Sequence, residues 1–257
     1  MLKLSVPTRV FRAICATTLG VLISASVGAF GESATPVVVE LFTSEGCSDC
    51  PPADVFLRAL DSTQPVAGVQ LIVLSEHVDY WDDQGWRDPF SSHAFSLRQE
   101  SYVQRLHLAS PYTPQMVVDG SFEFVGSNRG RANQAFEKAR ALSKISVRIS
   151  SVKIENGSLQ AHVETDPVPG KAEVFVALLL EHAQSQVLRG ENGGHRLEHV
   201  AVARSLTNVG RTAKGEAFSK DVSLAENSSD ALYRLVAFVQ EPSQGRILGA
   251  AMVRIQK

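Results

Sequence analysis

Cysteine is scarce. The 257 residues hold three, at positions 15, 47 and 50, with only three methionines beside them. Cys15 lies in a segment that stands apart: Lys3, Arg9 and Arg12 form a basic start, Ala13 to Val27 an apolar stretch, and Val27-Gly28-Ala29 a small-residue cleavage site. Residues 1–29 therefore read as a secretory signal peptide, too short and wrongly flanked for a span that persists, and no stable membrane span is expected. The Arg12-Ala13-Ile14 that precedes Cys15 does not look like a lipoprotein box. The expected location is periplasmic or secreted, and the mature chain keeps one pair, Cys47 and Cys50. In an oxidising compartment a lone C-x-x-C pair is a disulfide or a cycled dithiol. A structural staple is a weak reading, because a loop this short restrains the unfolded chain very little.

Positive charge is also short. The formal net charge is −2, and loss of the leader's three basic residues, with no acid among them, deepens it by three. Nucleic acid and an anionic membrane surface are therefore poor partners. There is no Met-rich or His-rich tract to support a soft metal, and no cofactor is expected.

What is present is organised around Val37–Leu60. Val37-Val38-Val39 and Leu41-Phe42 form an apolar, β-branched run that reads as a buried strand. Thr43-Ser44-Glu45-Gly46 breaks it, Cys47-Ser48-Asp49-Cys50 follows, and Pro51-Pro52 suits the first turn of a helix. Ala53, Phe56, Leu57 and Leu60 recur with helical spacing. A helix N-terminus lowers the pKa of a thiol from about 8.5 and favours the reactive thiolate. Cys47 is expected to be the exposed, attacking thiol and Cys50 the resolving one. Asp49 opposes this as a like charge beside the Cys47 thiolate, and the prolines remove two N–H donors, so a less acidic thiol and a reducing bias are expected.

Val69–Leu74 reads as a second, parallel strand, reached by a right-handed crossover. It runs into Ser75-Glu76-His77-Val78-Asp79-Tyr80-Trp81-Asp82-Asp83-Gln84-Gly85-Trp86, at the carboxyl end of a strand, where open α/β sheets place their sites. Here His77 and Asp79 are candidates for acid–base work or metal ligation near the cysteines; the plainer reading is that His77 closes the strand and the tryptophans cover the domain top. A second helix is expected over residues 91–108, strands at 115–118 and 122–125 joined at Asp119-Gly120, and a third helix capped by Ser127 or Asn128.

This order, with C-x-x-C after the first strand and Thr113-Pro114 before the third, resembles the thioredoxin fold over about residues 36–142, and LFTSEGCSDC is most similar to glutaredoxins. The resemblance implies a cis Pro114 facing the disulfide, with Thr113 offering backbone to the substrate chain. It also implies Glu40 as buried proton acceptor for Cys50, although its spacing of seven residues before Cys47 is one longer than in typical thioredoxins. More narrowly, ELFTSEGCSDCPPAD, HVDYWDDQGWRDPFS, YTPQMVVDG and the later RGENGG segment resemble a secreted bacterial family known as domain-of-unknown-function family 1223.

Beyond Lys144 the apolar period becomes two: Ile145, Val147, Ile149; Leu159, Ala161, Val163; Val174, Val176, Leu178, Leu180; Tyr233, Leu235, Ala237, Val239. Asn156-Gly157 signals a hairpin. The expectation is an α/β thioredoxin-like N-terminal domain (36–142) followed by an all-β immunoglobulin-like sandwich (145–257). Arg189, Glu191, Asn192, His195 and His199 are dense for a hairpin tip. Either they form a solvated turn, or the loop reaches the redox site, where Arg189 or His195 would offset Asp49.

Three functions follow. The first is a periplasmic thiol–disulfide oxidoreductase acting on protein or small-molecule disulfides. The second is a binding module with a structural disulfide. The third is a Cu(I)-handling protein using Cys47, Cys50 and His77.

Overall fold

The computed structural model describes residues 34–155, 158–225 and 232–255, together with Leu2. The signal peptide read at 1–29 (Leu2 aside) and the Asn156-Gly157 turn lie outside the described residues. The described residues from 34 onward cluster into one compact unit.

The chain begins with β1 (Thr35–Thr43), α1 (Pro51–Thr63), β2 (Val69–His77), α2 (His93–Arg105), β3 (Gln115–Val118), β4 (Phe122–Val125) and α3 (Arg129–Arg140). It continues through β5 (Val147–Glu155), β6 (Ser158–Thr165), β7 (Ala172–Gln186), β8 (Arg196–Thr212), β9 (Ser219–Ala225), β10 (Tyr233–Gln240) and β11 (Ile247–Ile255). No helix among the described residues is long and apolar enough to cross a membrane.

Local signals account for the helices. Proline opens α1, and Gln64, in the left-handed region, closes it by donating its backbone N–H to Leu60 O. Ser92 caps α2 through Ala94 N, and Asn128 caps α3 through Arg131 N.

The strands do not divide as expected. Eight of them form one mixed sheet, in the order β11-β10-β7-β8-β2-β1-β3-β4. A three-stranded sheet, β5-β6-β9, is separate. The expected α/β thioredoxin-like domain followed by an immunoglobulin-like sandwich is thus overturned: β2 pairs in parallel with β1 along its length and also with β8, at Ser75 and Val202. The physical reason is burial on both faces. All eight residues of β10 are buried, whereas a free-standing two-sheet sandwich leaves one face of each sheet wet. Val174, Val176, Leu178, Leu235, Ala237 and Val239 pack toward the small sheet with Leu159 and Val163. Their alternate neighbours Ala177, Leu179, Val236 and Phe238 join the core that holds Val37, Phe56 and Leu71. The period-two pattern is a half-buried signal on paper, but the polar half of the pattern is itself apolar in β7 and β10.

The two ends of the large sheet meet. Asp119, in the β3–β4 turn, accepts Ile247 N at 3.0 Å and, through its carboxylate, Lys144 Nζ at 2.6 Å. Gly120 has φ +64°, and a Cβ there would stand 2.3 Å from Gly245 O, so only glycine lets the two turns touch.

Candidate functional site

Cys47 and Cys50 form a disulfide with Cα atoms 5.4 Å apart. The bridge joins the turn after β1 to the start of α1. Cys50 already has helical geometry (φ −77°, ψ −39°) and accepts Ala53 N and Asp54 N at 2.9 and 3.1 Å. Thr113-Pro114 is a cis peptide. Trp81 Nε1 donates to Thr113 Oγ1 at 2.8 Å, and the Trp81 Cβ would stand 3.0 Å from a Cβ on Gly46, which ties the β3 entry to the cysteine turn.

Cys47 is not exposed as expected; its relative accessibility is 1% and that of Cys50 is 0%. The cover comes from the β7–β8 hairpin tip. Asn192, itself buried, donates its side-chain amide to Glu45 O and to Cys47 O, each at 2.9 Å. Glu191 accepts Ser48 N at 2.9 Å. The tip approaches so closely that a Cβ on Gly85 would stand 3.3 Å from the Cα of Gly190, itself at φ +77°. The residues that touch the turn are Glu191 and Asn192. His195 Nδ1 instead lies 3.2 Å from Asn192 O, inside the tip. Asp49 is exposed, so solvent screens its charge.

Beside the disulfide lies a buried cluster that the sequence reading did not assemble. Glu45 accepts Trp86 Nε1 at 2.8 Å and the Ser185 hydroxyl. His199, from β8, places Nε2 3.2 Å from Glu45 Oε1 and Nδ1 3.9 Å from Asp54 Oδ2. Burial alone would lower the His199 pKa, but the Asp54 and Glu45 carboxylates outweigh it and push it up to about 10. His199 is therefore an imidazolium at neutral pH. The His77 and His199 rings meet edge to face at 4.6 Å. His77 Nδ1 lies 2.7 Å from Asp88 Oδ2, which also accepts Glu45 N at 2.8 Å. Burial opposes ionisation of Asp88, yet its interaction with His77 and these hydrogen bonds hold its carboxyl below the usual range.

The His199 shift fixes a sign. A folded pKa above the ordinary 6.5 gives stabilisation that is full below 6.5 and is lost as pH rises through about 10. Unfolding free energy should fall across that window at up to about 1.4 kcal/mol per pH unit from this group. His199→Gln should flatten the slope; urea titrations at pH 6.5, 8 and 9.5 measure it, and parallel curves for the two proteins would contradict the assignment.

Glu40 does not join this site. It faces the opposite side of β1 from Leu41, which packs near Ala53 and Pro114. Arg98 Nε reaches Glu40 at 2.6 Å and the Tyr102 hydroxyl donates to it at 2.6 Å. Burial first, and the neighbouring Glu40 charge second, hold the Glu76 carboxyl well above its usual range. Asp79 is engaged at the start of α2 by Ser96 Oγ at 2.5 Å and His93 at 3.1 Å. Among the described residues no group of three or more His, Cys, Asp or Glu side chains is placed to hold a metal. His77 Nδ1 lies against Asp88 and its ring against Phe90 and His199, while its Nε2 has no hydrogen-bond partner.

Of the cluster members that the sequence reading missed, Asp54 had a signal: it stands one helical turn after Cys50, on a face continued by Leu57. Glu45, Asp88 and Ser185 had none.

A crystallised Agrobacterium tumefaciens protein is similar to this chain, with 26% identity and a TM-score of 0.66, covering 86% of this chain and 94% of that one. A Bacillus subtilis sporulation control protein, Spo0M, reaches 12% identity and a TM-score of 0.29 over 44% of this chain and 47% of its own. The R. palustris protein CsgH reaches 12% and 0.21 over 43% and 91%. Comparison with curated proteins finds no match. The family of proteins of unknown function DUF1223 matches over residues 38–240.

Proposed function

The chain belongs to the DUF1223 family, and from that premise we propose that it is a thiol–disulfide oxidoreductase that cycles the Cys47–Cys50 pair. Its substrates are protein or small-molecule disulfides, met in the periplasm or outside the cell. One observation carries the reading. The disulfide spans a sequence separation of three, too short a loop to stabilise the fold much, yet buried ionisable groups flank it along the chain: Glu45 before Cys47 and Asp54 after Cys50, with His199 set between the two carboxylates. A staple has no need of charges whose desolvation costs several kcal/mol apiece; proton-coupled thiol chemistry does.

The test is the reduction potential, from equilibration with glutathione or dithiothreitol followed by alkylation. A value between about −120 and −270 mV is expected. A value below about −300 mV makes the disulfide a staple and returns attention to a binding role.

A further inference from the structure

Three buried polar atoms of the cluster next to the cysteine turn have no hydrogen-bond partner: Asp54 Oδ1, His199 Nδ1 and His77 Nε2. Protein interiors seldom leave such atoms unpaired without a reason, because each costs about 1–3 kcal/mol. Asp54 is 6% exposed and Cys50 is fully buried. Cys50 has helical dihedrals and accepts the Asp54 N–H at 3.1 Å, so the two are an i, i+4 pair. Side chains at that spacing have Cβ atoms about 5–6 Å apart. A helical side chain also leans over the turn N-terminal to its own Cα, which for Asp54 is the turn that holds Cys50.

We propose that Asp54, with His199 as its counter-charge, is the base that takes the proton of Cys50 when the mixed disulfide is resolved. The proposal rests on the redox reading of the Cys47–Cys50 pair. In the mixed disulfide, Cys47 Sγ is bonded to the substrate sulfur and Cys50, fully buried in the disulfide form, is a thiol. The Cys50 proton passes to the Asp54 carboxylate. The thiolate left behind attacks Cys47 Sγ, the Cys47–Cys50 bond forms, and the bond to the substrate breaks. Its electron pair leaves on the substrate sulfur, which takes a proton from solvent. The substrate disulfide has gained two electrons and the dithiol has lost them; an external dithiol resets the pair.

The surroundings suit a base that must be charged before the step and neutral after it. The groups facing Asp54 and His199 are Glu45 from the cysteine turn, His77 at the end of β2 and, through His77, Asp88. Arg58 and Glu198 pair with one another at 2.8 Å on the exposed rim and do not neutralise Asp54. His199 keeps its second carboxylate, Glu45, when Asp54 takes up a proton. The imidazolium is therefore not stranded at any stage. An acid in a first helical turn is also favoured by the helix dipole alone, so the test must read something that a structural acid would not move.

Reduced protein is mixed with dithiobisnitrobenzoate, and the two thionitrobenzoate releases are timed by stopped flow. The first reports attack by Cys47 and the second resolution by Cys50. Asp54→Asn should leave the first within about twofold and slow the second by about a hundredfold at pH 7, the ordinary worth of a positioned base. The second release should also become proportional to hydroxide, about tenfold per pH unit, up to a thiol pKa of about 8.5. Asp54→Glu should return the second release to within about tenfold of the unsubstituted rate. An unchanged second release, or both releases slowed equally, would overturn the proposal. Should Asp54→Asn not fold, Asp54→Ser is read in the same way. These phases are internal to the protein, so the outcome is separate from the potential, which alone decides whether the pair is a working redox couple.

Discussion

Arg234→Met is expected to cost about 3–5 kcal/mol of folding stability, the usual penalty for leaving buried charges without their partner. Arg234 sits in β10 with no solvent exposure. Its guanidinium donates to both oxygens of Asp61, at 2.5 and 2.8 Å, and to both oxygens of Glu181, at 2.5 and 2.7 Å. Asp61 is in the last turns of α1, and Glu181 is in β7. One side chain thus ties the helix that begins at the disulfide to the strands after residue 172. Arg254 also reaches Glu181, at 3.1 Å, but it is more than half exposed and cannot replace the fork. Urea unfolding followed by tryptophan fluorescence measures the loss. Adding Asp61→Asn and Glu181→Gln to Arg234→Met should recover at least half of it, because the penalty lies in the two stranded carboxylates. A loss under about 1 kcal/mol would mean that water reaches and screens the pair.

That clamp marks where sequence reading stops. The run Tyr233–Gln240 shows Tyr233, Leu235, Ala237 and Val239 alternating, and these do face the small sheet. Nothing in the spacing says that Arg234, Val236, Phe238 and Gln240 are buried too. Their partners, Asp61, Glu181 and the Glu40–Arg98 network, come from elements dozens of residues away or more. The β2–β8 pairing is illegible for a related reason. It is made by main-chain groups that every residue carries, so no side-chain pattern records which strand lies beside Ser75. By contrast, the start of α1, its apolar face at Ala53, Phe56, Leu57 and Leu60, the cap at Asn128 and the turn at Asp119-Gly120 rest on local rules, and the structure places them there.

The site divides in the same way. C-x-x-C before a proline-led helix is a local statement, and the cysteines are bonded at that place. Glu40 was tied to Cys50 by counting along the chain, and strand alternation sends it to the other face. The density of Arg189-Gly190-Glu191-Asn192 exceeded what a turn requires. What could not be read was which member makes contact. The hydrogen bonds of Asn192 span separations of 145 and 147 residues, and charge was a poor guide, since an uncharged amide makes the buried contacts.

Asn192→Ala should speed reduction of the disulfide by dithiothreitol by about tenfold to a hundredfold. A thiol must approach Cys47 Sγ, and Cys47 is 1% exposed while the tip is seated, so reduction passes through a state in which the tip has lifted. Seated, Asn192 satisfies two carbonyls in a buried place, and without it Glu45 O and Cys47 O lose those donors. That loss raises the closed state by about 1–3 kcal/mol relative to the open one, where water serves both carbonyls. At about 1.4 kcal/mol per factor of ten, the open population grows in proportion. Glu191→Gln should do much less, because its contact to Ser48 N is exposed and its partner is equally well served by water. The β7–β8 ladder continues through Gln186 and Arg196, so the substituted tip still has its stem, and a faster reaction would not reflect unfolding. Reduction is followed by quenching with maleimide and counting modified thiols by mass. Equal rates for Asn192→Ala and the unsubstituted protein would mean that the reductant reaches Cys47 by another route, past Trp81 and Thr113. The tip would then be a strut of the fold with no bearing on access.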